Sequence, residues 1–157
     1  MNKKYINIYN SLINLTRNKK LYNSFTNQDT FSDRMVFLLL HFSFFLKAYK
    51  NDCSKETLQD VFDYFFKQID NSIREMGYGD TTINKKMKNY INLFYNMLNE
   101  VDKWESLDKS KQEKILNKFI HLSNNTNYIA SYFSNYLNYL KNNPFNSLLK
   151  GVINPKF

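Results

Sequence analysis

Two imidazoles and one thiol, His41, His121 and Cys53, are all that this chain of 157 residues offers to metal ligation or thiol and imidazole catalysis. Zinc sites and metalloproteases need His and Cys clustered at helical or turn spacing, as in H-E-x-x-H or paired C-x-x-C, and neither pattern occurs. A catalytic imidazole needs a carboxylate to orient it. The residues three and four positions from His41 are Phe37, Leu38, Phe44 and Phe45, and those around His121 are Asn117, Lys118, Asn124 and Asn125. A phosphate-cradling loop needs a glycine-rich stretch ahead of a Lys-Ser or Lys-Thr helix start, and none is present. The sequence predicts a chain that is not an enzyme and holds no metal and no cofactor. His41, inside an apolar run, reads as a buried neutral imidazole bonded to a facing carbonyl or hydroxyl. Cys53 stands alone, so no intrachain disulfide can form, which is consistent with a reducing compartment. Its place beside Ser54 near a predicted helix start is one that can lower a thiol pKa, although a lone loop cysteine is more often incidental.

The remaining polar side chains of interest gather around Ile73 to Asp80, reading IREMGYGD. The chain has only 3 glycines, and Gly77 and Gly79 are two of them. Gly77 is placed to take the left-handed conformation that ends a helix. Asp80 is placed to cap the next helix by accepting from the N–H of Thr82 or Ile83. Ile73 and Met76 face inward in this reading, so Arg74 and Glu75 project sideways or outward. They serve either a partner or a local salt bridge that holds the corner. Upstream, Asp33 suits a helix start for its dipole, and Arg34 is expected to pair with Glu75 or Asp80 across the bundle.

Hydrophobic periodicity supplies the elements that position these residues. Residues 3–16 place Ile6, Tyr9 and Ile13 on one stripe, widened by Tyr5, Ile8, Leu12 and Leu15. A broken segment from Asn18 to Asp29 has room for one turn near Leu21–Phe25. Thr30 to Asn51 is apolar on nearly every side, as a buried central helix requires, with Thr30 or Ser32 as cap. Residues 54–76 and 81–104 carry near-heptad seams, Leu58, Phe62, Phe65, Ile69, Ile73 and Met76, then Ile83, Met87, Ile91, Phe94, Leu98 and Val101; the two helices should pack antiparallel. A fifth helix spans about Ser110–Ser123, begun by a Ser110-x-x-Glu113 capping box, and a sixth Thr126–Asn142, closed by Pro144. Phe145 to Lys150 makes a last turn. The fold expected is an all-α, single-domain bundle over residues 1–157, with about six or seven helices around a central apolar one.

Composition agrees. Hydrophobic residues reach 43%, so disorder is excluded, and 3 Gly with 2 Pro leave little for the turns of a strand-rich fold. The longest apolar run, Met35 to Leu46, falls short of the ~20 residues of a membrane-spanning helix. No apolar h-region opens the chain, so a soluble, non-secreted protein is expected. The net charge is +8. No acid precedes Asp29 and none follows Glu113, whereas Lys3, Lys4, Arg17, Lys19, Lys20 and then Lys114, Lys118, Lys141, Lys150 and Lys156 lie in those ends. Such ends suit ribosomal RNA or anionic lipid. No five-residue cationic run exists, so no dedicated nucleic-acid motif is present. The ladder Tyr128, Tyr132, Phe133, Tyr136, Tyr139 and Leu140 is a core stripe or a partner groove, as is the face with Phe94 and Trp104.

The string Phe62-Asp63-x-Phe65-Phe66, then Asp70, IREMGYGD and Lys85-Lys86-Met87-Lys88, resembles the signature of the ubiquinol–cytochrome c chaperone family. Agreement extends to Asp33-Arg34, to the His41 segment LLLHFSFFLKAY, and to a tail, Leu148-Leu149-x-Gly151, similar to bacterial members; Tyr78 departs, standing where a small aliphatic is common. The resemblance implies an assembly factor for cytochrome b of the respiratory ubiquinol–cytochrome c reductase. Its partners would be newly made cytochrome b, with a ribosome or an anionic membrane surface, a small helical partner or a second copy, and no DNA. The compact length, without an evident presequence, favours a bacterial cytoplasmic protein, with the periphery of the inner membrane as a second place and the mitochondrial matrix if it is eukaryotic. The partner-binding candidates are then Asp33, Arg34, His41, Arg74, Glu75, Gly77, Gly79, Asp80 and Lys85, with Tyr132 and Tyr136 from the ladder. An RNA- or ribosome-binding module using the basic ends is the alternative.

Overall fold

The computed structural model describes residues 3–22, 30–120 and 126–152. Among them are seven α-helices and no strand: α1 (Ile6–Thr16), α2 (Phe31–Tyr49), α3 (Lys55–Glu75), α4 (Asp80–Val101), α5 (Lys109–Phe119), α6 (Thr126–Lys141) and α7 (Phe145–Lys150). Short 3-10 turns fill Lys3–Tyr5, Lys19–Tyr22 and Trp104–Ser106. His121, Ser123 and Phe25 lie outside the described residues.

α2 is the axis. Every residue from Phe37 to Phe45 is buried, and α1, α4 and α6 pack around it. Its start is fixed by a reciprocal capping box: Thr30 Oγ1 accepts from the Asp33 N–H at 3.2 Å, and Asp33 Oδ2 accepts from the Thr30 N–H at 3.2 Å. Such a box satisfies two otherwise orphaned donors. The centre of the core is aromatic. Phe42 stacks on Phe65 of α3 with ring centroids 3.8 Å apart and on Phe94 of α4 at 5.1 Å.

α3 and α4 form the expected antiparallel hairpin, since Phe62 and Phe66, ahead of the corner, meet Tyr95 and Phe94 beyond it. Gly77 has φ +93° and donates its N–H to Arg74 O at 3.0 Å. An added Cβ there would touch nothing within 4 Å, so the requirement for glycine is purely backbone. Gly77→Ala should cost about 1–2 kcal/mol. The loss is read as a thermal midpoint lower by several degrees. Gly79, at φ −74° and equally uncrowded, should tolerate alanine with a smaller loss.

Several local expectations are corrected. Gly79, not Asp80, is the N-cap of α4; Asp80 is its first residue and bonds Arg74 instead of the helix N–H groups. α5 is capped by Asp108, which accepts from Lys111 N–H at 2.9 Å, rather than by Ser110, because the helix begins at Lys109, two residues ahead of the start that a Ser110 cap would give. On α1 the buried line is Tyr5, Ile8 and Leu12, with Ile6 41% exposed, so the apolar face is rotated from the predicted stripe. Met76 caps α3 and is 50% exposed, since the chain turns away before that position can pack.

Candidate partner-binding site

At the α3–α4 corner Arg74 is a clamp. Its Nε donates to Asp70 Oδ1 at 2.5 Å, one turn back, and its Nη1 to Asp80 Oδ1 at 2.7 Å, across the bend. These bonds, to Asp70 first and then Asp80, favour the charged guanidinium and raise its pKa. The ion pair at Asp80 thus goes to Arg74 within the hairpin, not to Arg34 across the bundle. Glu75, Met76 and Tyr78 are exposed around it, and Lys86 lies over the Tyr78 ring at 4.9 Å. Lys85 is exposed on the first turns of α4. Arg74, Glu75, Gly77, Gly79 and Asp80 therefore share one exposed corner, and Lys85 is exposed five residues further along α4.

Three other predicted residues sit elsewhere. His41, Tyr132 and Tyr136 are buried, with no surface to offer a partner. His41 Nε2 lies 2.7 Å from the Tyr132 hydroxyl and Nδ1 lies 2.7 Å from Phe37 O. A carbonyl only accepts, so Nδ1 carries the proton and Nε2 accepts from Tyr132. Tyr136 donates to His41 O at 3.0 Å, knitting α6 to α2. Burial lowers the His41 pKa to about 4, against the opposing Phe37 carbonyl. Burial likewise raises the Tyr132 and Tyr136 hydroxyls. This is the neutral, satisfied imidazole read from the sequence. The face with Phe94 and Trp104 is likewise core, at 0% and 1% exposure. Burial pushes the Cys53 thiol up, with Asp52 adding to the shift, so its place near a helix start does not lower it.

An apolar cleft of about 220 Å³ opens between α1, the start of α2 and the end of α3. Tyr9, Ile13, Met35, Leu38 and Ile69 line it, with Phe31 at the mouth and Arg17 and Arg34 on the rim. Arg34 thus belongs to this cleft, while Asp33 is committed to the α2 cap. Met76 lies four residues beyond Ser72 and seven beyond Ile69, both cleft residues, so it continues the same helical face toward the polar corner. Sequence reasoning missed Tyr9, Ile13, Phe31, Met35 and Ile69 as a cleft. The available signal was Phe31, an aromatic placed outside the buried phase of α2 and 41% exposed. A larger hollow of about 510 Å³ between the start of α3 and α7 is mixed in character, with Lys4, Asp52, Ser54, Thr57 and Asn146 set beside Cys53, Pro144, Phe145 and Leu149, and is less apolar than the cleft.

The basic ends do not form a single bare surface. Lys118 bonds Glu100 at 2.9 Å and Lys141 bonds Glu105 at 2.6 Å, so acids of the middle segment take up part of that charge.

The helical bundle thus presents an apolar cleft beside a charged corner. The sequence model of the ubiquinol-cytochrome C chaperone family matches residues 23–157, and the chain belongs to that family. Its role is accordingly that of a chaperone in assembly. The fold is similar to that in the crystal structure of the Cbp3 homolog from Brucella abortus, with a TM-score of 0.78 and 25% identity, covering 98% of this chain and 89% of that one. None of the curated proteins matches the chain. No helix among the described residues is long and apolar enough to cross a membrane.

Proposed function

We propose that the chain is a non-enzymatic assembly chaperone that shields an apolar segment of newly made cytochrome b of the respiratory ubiquinol–cytochrome c reductase. The observation that carries this reading is the cleft between α1, α2 and α3, apolar inside and open at Phe31. Its volume is about 220 Å³. Sites for small cofactors usually run from about 300 Å³ upward. A hollow below that range suits a few side chains of a protein segment, held as an amphipathic helix is held in a groove. The clamped corner fixes the end of α3 that forms one wall, through Arg74 bridging Asp70 and Asp80.

Phe31→Asp tests the reading. Phe31 is the first residue of α2, where a carboxylate favours the helix dipole, so the fold should stand. A charge at the mouth of an apolar site must be desolvated on binding. The tagged wild-type chain is expected to retain cytochrome b when purified from membranes, and the variant to retain about tenfold less or worse. Retention should persist at high salt, because apolar burial is hardly screened. Contact through the basic ends to RNA would instead collapse with salt. Failure of the wild-type chain to retain cytochrome b at any salt sinks the proposal.

A further inference from the structure

We infer that the client segment taken by the cleft carries acidic side chains immediately beyond its apolar stretch, and that Arg17 reads them; this rests on the chaperone reading above. The lining of the cleft holds two charged residues, Arg17 and Arg34, and no acid. Lys19 and Lys20 follow Arg17 in the adjoining 3-10 turn and are exposed. Of the carboxylates nearest in sequence to the lining, Asp33 caps α2 and Asp70 and Asp80 hold Arg74, while Glu75 lies exposed at the far end of α3, so the sign of the rim is argued from Arg17 with Lys19 and Lys20. Inside the cleft, the three hydroxyls bond within the protein: Thr16 donates to Leu12 O at 2.9 Å, Ser72 to Gln68 O at 3.0 Å, and the Tyr9 hydroxyl is bonded to Ser72. The floor therefore selects for apolar side chains, and the rim alone carries sign. Because the hollow holds only a few side chains, the residues flanking the client's apolar stretch must lie at that rim. There a carboxylate is attracted, and a lysine or arginine is repelled.

The test uses the purified full chain and three synthetic peptides with one shared apolar core, flanked by Glu, Ser or Lys, followed by fluorescence anisotropy. Affinity should fall in the order Glu, Ser, Lys. The rim is exposed, so the spread between the extremes should be on the order of tenfold at low ionic strength. It should shrink toward unity at about 0.5 M salt. Arg17→Glu should narrow the spread severalfold, and Arg17→Lys should keep it. Affinity independent of the flanks, or a spread untouched by Arg17→Glu, overturns the inference and leaves the cleft reading in place. Displacement of the Glu-flanked peptide by vesicles of anionic phospholipid assigns the rim to lipid and also overturns it. Binding of none of the three overturns the cleft reading and this inference together.

Discussion

Phe42→Ala should lower the unfolding free energy by about 3–5 kcal/mol, the largest single loss expected in this molecule. Phe42 is fully buried at the point where three helices meet. Its ring stacks on Phe65 and Phe94, with Phe45 and Phe66 at centroid distances of 6.2 and 6.3 Å. Truncation removes the transfer free energy of the ring and leaves a void walled by four rigid aromatic side chains, which cannot collapse into it as aliphatic chains do. It also removes stacked pairs worth about 0.5–1.5 kcal/mol each beyond their buried area. Urea unfolding followed by helical circular dichroism measures the loss as a shift in midpoint. A loss below about 1.5 kcal/mol would mean that the site repacks, as volume-tolerant cores do.

Acidification should be nearly as damaging, in a defined window. The folded His41 has its pKa lowered to about 4 from an ordinary value of 6.5, because its buried imidazole sits among Phe37, Thr16, Tyr132 and Tyr136 with no carboxylate bonded to it. Above pH 6.5 neither the folded nor the unfolded chain protonates it, and its contribution to stability is complete. Between pH 6.5 and about 4 the unfolded chain takes up a proton that the folded chain refuses, so stability falls at 1.36 kcal/mol per pH unit. Roughly 3 kcal/mol is lost across the window. Glu105 and Asp102, whose pKa values are lowered, contribute losses only further down, below their ordinary carboxyl range. Urea midpoints at intervals from pH 7.5 to 4.5 check the slope. His41→Gln should be less stable at neutral pH yet nearly flat across the same interval. An unchanged slope in that variant would assign the acid sensitivity to other groups.

The chaperone reading depends on residues of two kinds, and the sequence exposes them unequally. The corner is local. Gly77, Arg74 and Asp80 lie within seven positions of one another, and a turn brings such neighbours together whatever the rest of the chain does. That is why its left-handed glycine and its local ion pair could be read directly, although the pairing of Asp80 with Arg74 over a helix cap could not. Both choices satisfy the carboxylate, and only the fold's bend selects between them. The tyrosine ladder shows the opposite case. Tyr128, Tyr132, Tyr136 and Tyr139 repeat at a spacing that fixes which residues share a face, but not whether another helix covers it. α2 covers it, through His41 and Phe44, and so Tyr132 and Tyr136 became core residues rather than a groove.

The sequence by itself determined the helical class, the position of α2 as the central element, the hairpin at Gly77, the neutral buried state of His41 and the family. Each follows from periodicity, capping chemistry or a contiguous motif, all of which act over a few residues. The tertiary structure alone decided where the open apolar surface lies. The cleft draws Tyr9, Phe31 and Ile69 from three helices, and its existence depends on how far those helices stand apart. Spacing along a chain carries no record of a gap between elements, because burial is set by the neighbour that does or does not arrive.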